Sequence, residues 1–145
     1  MKKNVLIVGA GGVAHVAAHK AAQNNDILGD ICIASRKQHK CDTIIASVKR
    51  KNNLKDKSKK LYSRQIDAFD IVKTVKLIQE TNSEIVINLA TPYVNESLLT
   101  ACIQTGAAYM DTAVHEEPDK PCENPPWYAN YEWKRKDTCK EKGIT

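Results

Sequence analysis

Short apolar runs alternate along this chain with longer stretches of helical spacing. Val5-Leu6-Ile7-Val8 is a continuous apolar run that enters Gly9-Ala10-Gly11-Gly12. An alanine-rich stretch, Val13 to Ala22, follows, and the polar cluster Asn24-Asn25-Asp26 ends it. This predicts a strand, a glycine turn and a helix from Gly11 to about Asn24. The next apolar run, Ile31-Cys32-Ile33-Ala34, predicts a second strand, and residues 41–51 a second helix. Leu61 to Ile66 is a less apolar strand, as an edge position tolerates. Asp67 or Asp70 can cap a third helix, with Ile71, Val72, Val75 and Ile78 at helical spacing. Ile85 to Leu89 is rich in β-branched residues, typical of a central parallel strand covered on both faces. A fourth helix follows Pro92 and stops at Gly106; a short fifth strand covers Ala108 to Met110. Pro118, Pro121, Pro125 and Pro126 then predict an irregular loop, and a last helix runs from Trp127 to about Lys142.

Strand and helix thus alternate five times. That order favours parallel strands, right-handed crossovers and helices on both faces, an α/β fold with a doubly wound sheet of Rossmann type. The chain has 145 residues, which suits one domain over 1–145. Gly143-Ile144-Thr145 reads as a helix stop and the opening of a sixth strand. We therefore expect a fragment of a longer enzyme, cut before its substrate domain and inactive by itself.

Composition narrows the class. No apolar run approaches the ~20 residues of a membrane span, and the run after Met1-Lys2-Lys3 is too short for a signal peptide. A cytoplasmic protein is expected, with no membrane partner. The five cysteines (32, 41, 102, 122 and 139) form no CxxC pair, so reduced thiols are expected, with Cys32 and Cys102 in the core and no metal site. The formal charge of +5 is concentrated at Lys49-Arg50-Lys51 and Lys55, Lys57, Lys59 and Lys60. Without interleaved aromatics this reads as a solvated helix end and loop rather than a nucleic-acid patch.

The glycine turn carries the first chemistry. Strand, GxGxxA and helix form the fingerprint of a dinucleotide-binding unit. Gly9 turns the chain out of the strand, Gly11 lets a pyrophosphate approach the backbone, and Ala14 packs the helix closely. Gly12 and Val13 bring the first helical N–H groups and the helix dipole to the anion. The end of the second strand selects the cofactor. Ala34-Ser35-Arg36-Lys37 has no carboxylate where a ribose 2′-hydroxyl would call for one. The Arg36 guanidinium and Ser35 hydroxyl suit a 2′-phosphate, so NADP (NADPH) is expected over NAD. Asp67 is placed to meet the adenine edge or to cap the next helix. Asn88, Ala90, Thr91 and Pro92, at the end of the fourth strand, are expected beside the nicotinamide ribose. Tyr93 faces the nicotinamide or the substrate, or is a half-buried loop tyrosine. Asp111 and Thr112 are substrate-side candidates. His15 and His19 have metal-ligand spacing but read as surface histidines; His115, Glu116 and Glu117 read as an exposed loop. No tyrosine is followed four residues later by lysine, which disfavours a short-chain dehydrogenase.

Several segments resemble one family, in order along nearly the whole chain. Gly9 to Lys20, Ile33-Ala34-Ser35-Arg36, Asn88 to Tyr93, Tyr109 to Ala113 and the aromatic segment Trp127 to Trp133 are similar to signatures of the saccharopine dehydrogenase-like reductases, in particular the carboxynorspermidine dehydrogenase branch. The resemblance implies that this part binds NADPH, while a later domain completes the substrate site and mediates dimerisation. It implies small-molecule substrates, an amino-acid semialdehyde and an amine, whose imine is reduced. Saccharopine reductase proper and a non-catalytic NAD(P)-binding module are the alternatives. The chain departs from the branch at Val114, where Asn is common, and the amine stays open.

Overall fold

The computed structural model describes residues 3–117, 119 and 131–144. Pro118, Pro121, Pro125 and Pro126, Cys122, the expected helix start over 127–130 and Thr145 lie outside these residues. The elements are β1 (Asn4–Val8), α1 (Gly12–Gln23), α2 (Asn25–Leu28), β2 (Ile31–Ser35), α3 (Gln38–Arg50), β3 (Leu61–Gln65), α4 (Ile71–Glu80), β4 (Ser83–Asn88), α5 (Asn95–Thr105), β5 (Ala108–Met110) and α6 (Lys136–Glu141). Single 3-10 turns precede α5 (Pro92–Val94) and α6 (Glu132–Arg135). The strands form one parallel sheet in the order β3-β2-β1-β4-β5. The less apolar β3 is an edge strand, as expected, and β1 and β4 sit at the centre.

Successive β1 side chains enter opposite layers. Val5 and Ile7 pack with Ala14, Ala18 and Ala22 of α1 and with Ile44 and Val48 of α3. Leu6 and Val8 pack with Leu77 and Ile78 of α4 and Leu98 and Cys102 of α5. The sheet is thus covered on both faces. Ala14 is fully buried, and the small side chain lets α1 lie close on β1. Cys32 and Cys102 are core residues, and burial pushes each thiol up to about 12.

Three details depart from the sequence reading, while the Asp70 cap and the Gly106 stop are found as expected. The Asn24-Asn25-Asp26 cluster does not simply end a helix, because Asn25 opens α2. Its buried side chain donates to the Asp56 carbonyl at 2.8 Å and accepts from the Asp56 N–H at 2.7 Å, pinning α2 to the lysine-rich loop. The second α/β crossover helix, α3, begins at Gln38 instead of residue 41; its polar first turn carries no apolar periodicity. Asp70 caps α4 by accepting the Lys73 N–H at 2.9 Å. On α4, Val72 is exposed, since Ile71, Val75 and Ile78 form one stripe and Val72 lies about 100° away from it. Gly106 ends α5 in the left-handed conformation, as the helix stop requires (φ 75°).

Candidate functional site

The carboxyl ends of β1, β2, β3 and β4 open onto a cleft of about 430 Å³. It lies where strand order reverses, between β1 and β4, the position at which open α/β sheets bind ligands. The turn after β1 forms its floor. Gly9 N–H donates to the Ala34 carbonyl at 2.8 Å, and Leu89 N–H to the Val8 carbonyl at 2.7 Å, so both neighbouring strands hold the turn. Gly9 has φ +122°, and a Cβ there would lie 2.6 Å from the Leu89 carbonyl carbon and oxygen. Both backbone angle and close approach demand glycine. Gly11 differs: a Cβ would meet nothing within 4 Å beyond its chain neighbours and the helix's own backbone. It lines the cleft immediately before α1, whose first turn has neither a side-chain cap nor an acid. Free space beside uncapped helical N–H groups fits a pyrophosphate.

One edge of the cleft is cationic. Arg36, Lys37 and Lys40 line it, all exposed, and none has a carboxylate partner among the described residues. Lys37 and Lys40 were not singled out from the sequence. Lys40 reaches the cleft because α3 starts early, with Lys40 in its first turn. The Ser35 hydroxyl shapes the turn that carries these cations. It donates to the Lys37 carbonyl at 3.0 Å and accepts from the Lys37 N–H at 3.2 Å and the Cys41 thiol at 3.3 Å. Gln65 of β3 donates to the Arg36 carbonyl at 3.0 Å. A fixed turn presenting three unpaired cations fits the 2′-phosphate of NADP.

The cleft gathers Gly9, Gly11, Ser35, Arg36, Asp67, Ala90 and Thr91 from the expected residues. Gly12, Val13 and Tyr93 lie outside its lining; Val13 is exposed on α1 and Tyr93 is half-buried. Asn88 is buried and turned into the fold: it donates to Asn95 Oδ1 at 2.7 Å and the Thr91 carbonyl at 3.1 Å, and accepts from the Ala90 N–H at 3.0 Å. It shapes the turn bearing Ala90 and Thr91. Asn88, Pro92 and Thr112 border a smaller cavity of about 40 Å³, which shares Ala90 and Thr91 with the main cleft. Asp111 is half-buried beside it in sequence; burial, and then the Glu132 charge, push its carboxyl up. Burial also raises the Tyr109 phenol.

Two histidine readings change. His115 is buried, not exposed. Its N–H donates to Glu132 Oε1 at 2.6 Å, its Nδ1 lies 3.0 Å from the Pro92 carbonyl, and its ring packs on Tyr131 at 4.5 Å. The residue is an anchor between the β5 exit and the Pro92 turn, a contact distant in sequence. His15 and His19 are half-buried between α1 and α3 instead of solvated, both with Nε2 3.1 Å from Ser47 Oγ.

Comparison with known proteins agrees with this geometry. The family model of the saccharopine dehydrogenase NADP binding domain matches residues 5–145. Carboxynorspermidine synthase from Vibrio cholerae is 49% identical over 142 residues, which cover 98% of this chain and 34% of that protein. Carboxyaminopropylagmatine dehydrogenase from Synechocystis is 39% identical over 140 residues, covering 97% and 32%. The chain therefore spans about a third of the length of these curated relatives. In fold, it matches apo saccharopine dehydrogenase (L-Glu forming) from Saccharomyces cerevisiae with a TM-score of 0.70 at 19% identity, covering 99% of this chain and 26% of that one. It matches the leucoanthocyanidin reductase–NADPH complex from Vitis vinifera with a TM-score of 0.62 at 15% identity, covering 97% and 47%. From β1 through the end of the chain, then, this is a member of the saccharopine dehydrogenase NADP-binding domain family, a family of oxidoreductases whose cofactor is NADP.

Proposed function

We propose that this chain is the cofactor-binding part of a cytoplasmic NADPH-dependent reductase acting on a CH–NH bond, whose substrate is the imine of aspartate semialdehyde and a diamine. The observation that carries the cofactor side is the Ser35–Lys40 edge of the cleft, which has no carboxylate and whose three cations have no carboxylate partner among the described residues. The names of the two curated relatives, a carboxynorspermidine synthase and a carboxyaminopropylagmatine dehydrogenase, support the amine chemistry.

In this reading Arg36, Lys37 and Lys40 hold the 2′-phosphate, with bidentate geometry available only to Arg36. The Gly9–Gly12 turn and the α1 N-terminus, with Val13 in its first turn, hold the pyrophosphate. Asp67 meets the adenine edge. Ala90 and Thr91 leave room for the nicotinamide ribose, on a turn fixed by Asn88 and stiffened by Pro92. The cofactor held there would supply the hydride that reduces the imine carbon. This chain contributes position and electrostatics, with Thr112, Asp111 and Tyr93 on the substrate side. We assign no proton donor among them. The full-length reductase is expected to act as a homodimer on small molecules, without a nucleic-acid partner.

The test is NADPH consumption by the full-length protein. It should require aspartate semialdehyde and a diamine together and be negligible with either alone. Turnover only with the substrates of saccharopine reductase would move the protein to that activity. NADPH binding without turnover on any such pair would leave a binding module.

A further inference from the structure

The chain has one phenylalanine, and it is not in the core. Phe69 is 53% exposed on the β3–α4 loop, where it lines the cleft beside Asp67 and the buried Ala68. The loop is pinned from several sides. Asp67 Oδ1 accepts the Phe69 N–H at 3.1 Å, and the Asp67 carbonyl accepts the Asp70 N–H at 3.0 Å. Ser97 of α5 donates to the Ala68 carbonyl at 2.6 Å, and Asp70 caps α4. The ring is therefore held at the cleft by a fixed backbone, with much of its surface in water. Across the same cleft stand Arg36, Lys37 and Lys40, which are placed for a phosphate on the adenosine ribose.

We propose that Phe69 is the aromatic wall of the adenine subsite, covering one face of the base while Arg36 and its lysine neighbours hold the adjoining 2′-phosphate. This rests on the NADP reading of the cleft and adds a separable role. Arg36 sets the preference between the two coenzymes; Phe69 sets the affinity for both alike, because each carries the same base. Base–aromatic stacking is tolerant of ring substitution and sensitive to ring removal.

The test uses the full chain and four probes: NADPH, NADH, 2′,5′-ADP and reduced nicotinamide mononucleotide, which lacks adenosine. Phe69→Ala should weaken NADPH, NADH and 2′,5′-ADP by a similar factor, roughly 5- to 100-fold. The NADPH-to-NADH ratio and mononucleotide binding should stay unchanged. Phe69→Trp should retain 2′,5′-ADP affinity, and the ligand should change the fluorescence of the new indole. Phe69→Leu keeps apolar bulk without the ring and should fall between wild type and Phe69→Ala; thermal melting of each variant verifies folding. Affinities for the three adenosine probes within twofold of wild type in a folded Phe69→Ala would overturn the proposal, as would an equal loss for the mononucleotide. NADPH bound by wild type with a neutral Phe69→Ala removes the wall alone; no NADPH binding by wild type removes the cofactor reading with it.

Discussion

Gly9 and Gly11 are two residues apart and predict opposite phenotypes. At Gly9 a methyl group would collide with the Leu89 backbone at 2.6 Å, in a backbone conformation at φ +122° that favours glycine. Gly9→Ala should lower unfolding stability by more than about 1 kcal/mol, read by denaturant titration. A Cβ added at Gly11, the N-cap of α1, would meet nothing within 4 Å beyond its chain neighbours and the helix's own backbone. Serine is a favourable N-cap, so Gly11→Ser should melt near the wild-type temperature. Its hydroxyl would occupy helical N–H groups and the space before them, and should weaken NADPH roughly tenfold. Comparable losses of stability at both positions would contradict the division. The glycine spacing and the cation at position 36 were legible because each follows from local chain order. Lys40 was not, since its approach to the cleft depends on where α3 begins. Phe69 was not, since a lone apolar residue in a polar loop has no periodic signal.

Among elements, the α1–α3 contact carries a titratable joint. The His15 and His19 rings stack 5.1 Å apart, nearly parallel at 8°, and share Ser47 Oγ. Asn53 Nδ2 lies 2.6 Å from His19 Nδ1. With the amide donating there, the His19 proton sits on Nε2 and goes to Ser47, and the His19 ring is neutral. Burial first, and then His15, Lys51 and Arg50, hold the His19 pKa below its ordinary value of 6.5. The folded chain thus takes up fewer protons than the unfolded chain as pH drops. This contribution to stability is present above pH 6.5 and lost as pH falls through the depressed value. The melting temperature should decline from pH 7 toward 5, and His19→Gln should flatten that decline; an unaltered slope would contradict it. The spacing of the two histidines was plain in the sequence. Their burial was not, because α1 alone shows no partner on that face and Ser47 lies 28 residues from His19. Strand positions were easier to read, since central parallel strands leave unbroken apolar runs in a chain otherwise rich in charge.

At the scale of the molecule, five parallel strands with helices on both faces place the four loops that line the cleft, those leaving β1, β2, β3 and β4, at the carboxyl end of the sheet. The order was readable because each crossover is local in sequence. The His115–Glu132 contact was not, because it joins the exit of β5 to a segment 17 residues later. The family supplies NADP; the cationic edge supplies a physical reason for it. Calorimetric titration of the wild-type chain and of Arg36→Ala with NADPH and NADH tests that reason most directly. NADPH should bind more tightly than NADH, and Arg36→Ala should reduce NADPH binding by about 1.5–3 kcal/mol while leaving NADH nearly unchanged. Equal losses for the two coenzymes, or a wild-type preference for NADH, would contradict the account.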